Sequence, residues 1–100
     1  MKRITVPLID QTIEVYIGAP EWKRFCAAVV RDGGLPPDMG VHGTTYECWT
    51  WLAGDDRNTM LHEASHITDY LMARIGSDCK EFRAYIGAWV GDAIISAICR

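Results

Sequence analysis

The chain has 100 residues, of which 49% are hydrophobic and 23% are charged, and its formal net charge at neutral pH is −3. This composition predicts one soluble globular domain over 1–100, and without a cluster of Lys or Arg we expect no binding to nucleic acid. We also expect no membrane partner, because the longest apolar stretch, 93–99, is short and is interrupted by Ser96.

Alternation of apolar and polar side chains near the N-terminus predicts strands at 3–8 and 12–17, joined as a β-hairpin. Pro7 lacks an N–H donor and therefore places the first strand at a sheet edge. These residues have no apolar core of the kind found in signal peptides. The four cysteines lie at long intervals, so we expect reduced thiols and a cytoplasmic location.

The middle of the chain predicts a core helix, a loop and a strand. Apolar residues recur at helical spacing after Pro20, which predicts a helix over 20–31 with Trp22 and Phe25 as core anchors. Two prolines and two glycines predict a loop over 35–43. The aromatic and β-branched run at 44–52 predicts a strand, which either holds an extended substrate at a sheet edge or is a plain sheet strand.

The next helix, predicted over 58–75, carries the HExxH pattern as His62-Glu63-Ala64-Ser65-His66. Two imidazoles four residues apart lie on one face of a helix, so both can bind one zinc ion. Glu63 lies beside them, where a carboxylate can take a proton from water activated by the metal. The pattern predicts His62 and His66 as zinc ligands and Glu63 as the general base.

The last helix is predicted over 79–98, with Asp78 and Glu81 matching a capping box at its start. Its apolar run at 94–98 would also allow two copies of the chain to pair as a homodimer. A catalytic zinc needs three protein ligands, and the two histidines supply only two. Spacing alone leaves several candidates for the third ligand, namely Glu81, Asp69, Asp92, Cys79 and His42.

A family resemblance covers about a third of the chain, between residues 61 and 94. This part resembles small phage and prophage proteins of the minimal gluzincin type, which are reduced relatives of thermolysin-like zinc peptidases. The residues that carry it are His-Glu-Ala-Ser-His, Asp69-Tyr70, Arg74-Ile75-Gly76 and Glu81-Phe-Arg-Ala-Tyr85-Ile-Gly-Ala-Trp89.

The resemblance implies a small α+β zincin-like domain, in which a short sheet packs on three helices, and it implies Glu81 as the third zinc ligand. It also implies the host cytoplasm if the chain is phage-encoded. The chain departs from the large gluzincins in two ways. The gap from His66 to Glu81 is shorter, and we expect no downstream lobe to supply the oxyanion-stabilising histidine and tyrosine.

Two roles of the helix over 79–98 stay open at this point. Glu81 either binds the metal or only closes the capping box, since one carboxylate does not easily do both. For stabilising an oxyanion, Tyr85 is the first candidate because it lies one turn after Glu81. The other candidates for that role are His42, Tyr46 and Arg83.

Two functions compete. The first is a zinc-dependent metallopeptidase that hydrolyses peptide bonds of a peptide or protein substrate with water, Glu63 acting as the general base. The alternative is a non-catalytic, zinc-stabilised phage or prophage protein that binds a host or virion partner. Glu63 favours the first function, because a purely structural zinc site has no use for a carboxylate at that position.

Overall fold

The computed structural model describes residues 1–7, 9–35 and 42–99. It has the predicted α+β architecture, a four-stranded sheet with three helices. Most bounds lie within two residues of the predicted ones. In chain order the elements are β1 (Lys2–Val6), β2 (Gln11–Ile17), α1 (Gly18–Arg31), β3 (Gly43–Tyr46), β4 (Trp49–Leu52), α2 (Arg57–Ile75) and α3 (Lys80–Cys99).

The strands lie in the order β1-β2-β4-β3. The pairs β1–β2 and β3–β4 are antiparallel hairpins, and β2 and β4 join them as a parallel pair. The predicted N-terminal hairpin is confirmed, with β1 at one edge as Pro7 indicated. Leu8, the last residue of the predicted first strand, lies outside the described residues. The order leaves β3 as the other edge of the sheet.

The predicted strand over 44–52 was wrong in one respect, because the run forms two strands, β3 and β4. The chain reverses at Glu47, whose φ is +54°, so that Tyr46 pairs with Trp49. Neither residue of this turn is Gly or Pro, and the sequence therefore gives no turn signal. Cys48 anchors the turn to β2, since its Sγ donates to Gln11 Oε1 at 3.3 Å. Burial raises the pKa of the Cys48 thiol to about 11, so it stays protonated.

Helices cover the sheet on both faces. Alternate side chains of β2 point to opposite sides, Val15 towards α2 and α3 and Tyr16 towards α1. The larger core lies on the α2–α3 side and consists of Val6, Ile13, Val15, Cys48, Leu52, Met60, Ala64, Ile67, Leu71, Val90 and Ile94.

The α1 side of the sheet holds an aromatic core. Phe25 is fully buried, and the rings of Trp22 and Trp51 meet edge to face with centroids 4.5 Å apart. The indole Nε1–H of Trp51 donates to the carbonyl of Gly18 at 2.8 Å. The prediction that Trp22 and Phe25 are core anchors is confirmed. In the predicted loop over 35–43, residues 36–41 lie outside the described residues.

Helix α2 has a clear start and stop. Asp56 is its N-cap and accepts from both the N–H of Thr59, at 3.0 Å, and the Thr59 hydroxyl, at 2.6 Å. These two hydrogen bonds hold the pKa of the Asp56 carboxyl below its ordinary value. Gly76 follows the last residue with φ of +69°, a conformation that favours glycine. The helix therefore begins five residues before His62, and both histidines lie well inside it.

Helix α3 runs back along α2. A Cβ at Gly87 would lie 3.7 Å from the Thr68 side chain, and one at Gly91 would lie 3.1 Å from Leu61 Cδ2, so the two helices approach closely at these glycines. Among the described residues, α3 is the one helix long and apolar enough to cross a membrane by length and composition. The short run at 93–99, taken alone, did not predict a helix of this length and apolarity. Apolar residues also precede that run within α3. In the fold, Val90 and Ile94 are buried.

Candidate metal centre

The N-terminal half of α2 faces the edge strand β3 across an open cleft. The cleft has a volume of about 370 Å³ and is lined by Gly43, Thr44, Thr45, Glu47, His62, Glu63 and His66. It continues along α2 into a second cavity of about 370 Å³, to which His42, Asn58 and Thr59 also contribute. All three residues of the motif that were assigned a chemical role thus lie on one cleft.

The imidazoles of His62 and His66 lie side by side on the exposed face of α2. Their Nε2 atoms are 3.2 Å apart, and the ring planes meet at 82°. Two nitrogens bound to one tetrahedral zinc ion at about 2.0–2.1 Å lie about 3.3 Å apart. The rings are therefore already spaced as a shared metal ion requires, although one Nε2–H can also donate to the other ring at this distance.

Glu63 contrasts with the histidines because it is buried, with a residue exposure of 4%. Its Oε1 accepts a hydrogen bond from the Thr45 hydroxyl at 2.7 Å, and its Oε2 lies 3.9 Å from His62 Nε2. A buried carboxylate is costly unless it is hydrogen-bonded, and Thr45 provides that bond. One carboxylate oxygen is thus held by β3 while the other lies on the side of His62.

Gly43 allows β3 to lie this close to α2. A Cβ at Gly43 would lie 2.7 Å from Thr59 Cγ2 and 3.1 Å from Glu63 Cγ, which are shorter than ordinary contacts. Any larger residue would push the start of the edge strand away from the carboxylate. The glycine that appeared in the sequence only as a loop residue therefore has a packing role at the site.

The β3–β4 turn forms one end of the cleft and brings a further carboxyl group to it. Burial raises the pKa of the Glu47 carboxyl, and the nearby charge of Asp32 adds to this effect. Tyr46, the next residue towards the N-terminus, points to the other face of the sheet, where its hydroxyl donates to Asp32 Oδ2 at 3.2 Å. The candidate oxyanion donor Tyr46 thus faces away from the cleft.

The structure does not bring Glu81 to the histidine pair. Across 1–7, 9–35 and 42–99, no three His, Cys, Asp or Glu side chains are grouped closely enough to hold one metal ion. Gly87 of α3 packs at the level of Thr68 of α2. Glu81 lies six residues before Gly87, which is about 9 Å along the helix in the direction away from His66. Glu81 as third ligand stays a prediction, with Cys79, Asp92 and His42 as its alternatives.

Asp69 and Tyr85, two further candidates from the sequence, are also placed by the structure. The carboxylate of Asp69 accepts a hydrogen bond from the Arg83 guanidinium across the α2–α3 contact. Arg83 is thereby committed to this ion pair at the helix surface. Tyr85 is 74% exposed on α3, and the residues described as lining the two cavities include none from α3. Of the oxyanion candidates, His42 lines the second cavity.

No family model matches the chain, and no curated protein or solved structure matches it either. The resemblance to minimal gluzincins therefore rests on the residues at 61–94 and stays a prediction. Two exposed imidazole nitrogens at 3.2 Å, with open space in front of them, fit two ligand positions of a zinc ion.

The sequence did not indicate Thr45 as part of the site. A threonine in a predicted strand carries no signal of its own, and its contact with Glu63 depends on how β3 is placed against α2. The register of β3 against β4 puts Thr45 beside Thr50, on the face that carries Val15 and the larger core. Because that register was not predicted, neither was the contact.

Proposed function

We propose that the chain is a zinc-dependent metallopeptidase in which His62 and His66 hold the metal and Glu63 is the general base. The observation that carries this proposal is the arrangement of three atoms. The two histidine Nε2 atoms are 3.2 Å apart, and Glu63 Oε2 lies 3.9 Å from the first of them. Burying a carboxylate costs free energy, and two ordinary surface histidines on a helix would not require one beside them.

When bound, zinc would act as a Lewis acid that polarises the scissile carbonyl and makes water a better nucleophile at neutral pH. Glu63 Oε2 would take the proton of the attacking water and pass it to the leaving amine nitrogen. Burial of Glu63 on the sheet side restricts that exchange to the one oxygen that lies on the side of His62. The base is therefore fixed before substrate arrives, which avoids reorganisation during the reaction.

The edge strand supports a peptide substrate. Among the residues that the structure describes, β3 pairs with β4 alone, which leaves the backbone N–H and C=O groups of its other side for pairing next to the cleft. An extended peptide can bind such an edge by main-chain hydrogen bonds. A peptide aligned in this way would run past Glu63 and both histidines, and its recognition would depend little on side chains.

The proposal is tested by incubating the zinc-loaded chain with a broad peptide library and identifying new termini by mass spectrometry. We expect cleavage that stops when a chelator removes the metal and returns when zinc is restored. Retained cleavage after complete removal of the metal would contradict the proposal. A chain that binds zinc but cleaves no peptide would favour the alternative, a zinc-stabilised protein that binds a partner.

A further inference from the structure

A short chain of hydroxyl groups connects Glu63 to the interior of the sheet. Thr45 Oγ1 lies 2.7 Å from Glu63 Oε1 and 3.0 Å from Thr50 Oγ1. The hydroxyl of Thr50, a fully buried residue, is in turn 3.1 Å from the carbonyl oxygen of Thr44. The carboxylate is thus the outer end of a polar path through β3 and β4.

Counting protons fixes the direction of the hydrogen bond to Glu63. Each threonine hydroxyl has one proton, and an ionised carboxylate can only accept. When Glu63 is ionised, Thr45 must therefore donate to Oε1, and the oxygen of Thr45 is free to accept from Thr50. Thr50 has one proton for two acceptors, the oxygen of Thr45 at 3.0 Å and the carbonyl oxygen of Thr44 at 3.1 Å, so it either donates to Thr45 or bonds within the sheet.

The two oxygens of Glu63 are consequently not equivalent. Oε1 is occupied by Thr45, while Oε2 is the oxygen 3.9 Å from His62 Nε2. Given the proposed peptidase function, we infer that Thr45 is a positioning residue, which holds the Glu63 carboxylate so that Oε2 alone exchanges protons with the reacting groups.

The location of Thr45 links this role to substrate binding. Its side chain points to α2 and contacts the base, while its backbone belongs to the edge strand that is proposed to pair with the peptide. One residue therefore sets the carboxylate relative to the strand that aligns the scissile bond. A loop residue with the same side chain would not fix both positions together.

The inference is tested with Thr45→Val, which keeps the shape of the side chain and removes the hydroxyl, and with Thr45→Ser, which restores the hydroxyl. We expect Thr45→Val to lower kcat by about 10- to 100-fold, the range for loss of a hydrogen bond to a charged group, with little change in KM or zinc content. Thr45→Ser should recover most of kcat. Thr12→Val makes the same chemical change at an exposed position of β2 and should match the wild-type chain.

Wild-type kcat in Thr45→Val, or a Thr45→Ser chain as slow as Thr45→Val, would overturn the inference and leave the proposed function in place. A wild-type chain without cleavage would overturn both. In that case urea unfolding of Thr45→Val, Glu63→Ala and the double variant would show whether the contact is structural, since coupled residues give non-additive changes. Additive changes would contradict the contact itself.

Discussion

We expect the Glu63→Gln chain to keep its zinc and to cleave peptides about 100- to 10,000-fold more slowly than the wild-type chain, the range for loss of general acid–base catalysis. Glutamine has the shape of glutamate, and its carbonyl oxygen can still accept the hydrogen bond from Thr45. What it cannot do is take a proton from water. Initial cleavage rates and zinc content, measured on the same preparations, give the result.

Glu21→Gln is a matched control for this prediction. It removes one carboxylate from α1, on the opposite side of the sheet, where Glu21 accepts from the Ile17 N–H and glutamine can do the same. We expect wild-type cleavage from this chain. Wild-type cleavage from Glu63→Gln would instead show that the carboxylate is not the base, and it would leave Glu63 as a buried partner of Thr45.

The second large effect is expected from His66→Ala, which should lose most of its zinc. Even groups that only orient a metal ligand change affinity by about 10- to 100-fold, so removal of a ligand should cost more than about 100-fold. Because His66 is exposed, the free energy of unfolding of the metal-free variant should lie within about 0.5 kcal/mol of that of the metal-free wild-type chain. Metal analysis after desalting, together with a urea titration, separates loss of the ligand from loss of the fold.

His42→Ala removes the remaining histidine of the chain, which is also an alternative third ligand, and so tests whether the pair holds zinc without it. His42 lines the second cavity but is not grouped with the pair in the described part of the chain. We expect this chain to hold about one zinc ion, as the wild-type chain does. Equal zinc content in His66→Ala and the wild-type chain would argue against a site at the histidine pair.

The helices were predictable because the signals that start, stop and orient them lie in residues close together in the sequence. Helix α2 carries its own cap at Asp56 and its own stop at Gly76, and the spacing of His62 and His66 follows from helical periodicity alone. The cap itself is local, since Asp56 accepts from both the N–H and the hydroxyl of Thr59, three residues later. Local signals of this kind need no knowledge of the rest of the fold.

The order of the strands and the contact of β3 with Glu63 were harder to predict from the sequence, because they depend on contacts between residues that are distant in the chain. The parallel pairing of β2 with β4 joins two hairpins, and nothing in either run specifies it. The reversal at Glu47 uses a residue that rarely adopts a positive φ, so the turn was missed. The contact of Thr45 with Glu63 follows from both features and could not be predicted before them.

The position of Glu81 shows the limit of a motif. The resemblance implies a ligand role for Glu81 although its gap from His66 is shorter than in the large gluzincins. The level at which α3 passes α2 is set by Gly87 and Gly91. Close approach at these glycines aligns the helices so that Glu81 lies towards the C-terminal end of α2, while Asp69 meets Arg83. Packing of small residues, which the motif does not describe, decides where the candidate ligand lies.

The histidine pair is tested most directly by following the imidazole nitrogens by NMR during a zinc titration. The chain has three histidines, so His42 is an internal control. We predict that the Nε2 resonances of His62 and His66 change together and saturate at one zinc ion per chain, while those of His42 do not follow them. If zinc leaves the pair unchanged, or binds His42 instead, the proposed metal centre is wrong.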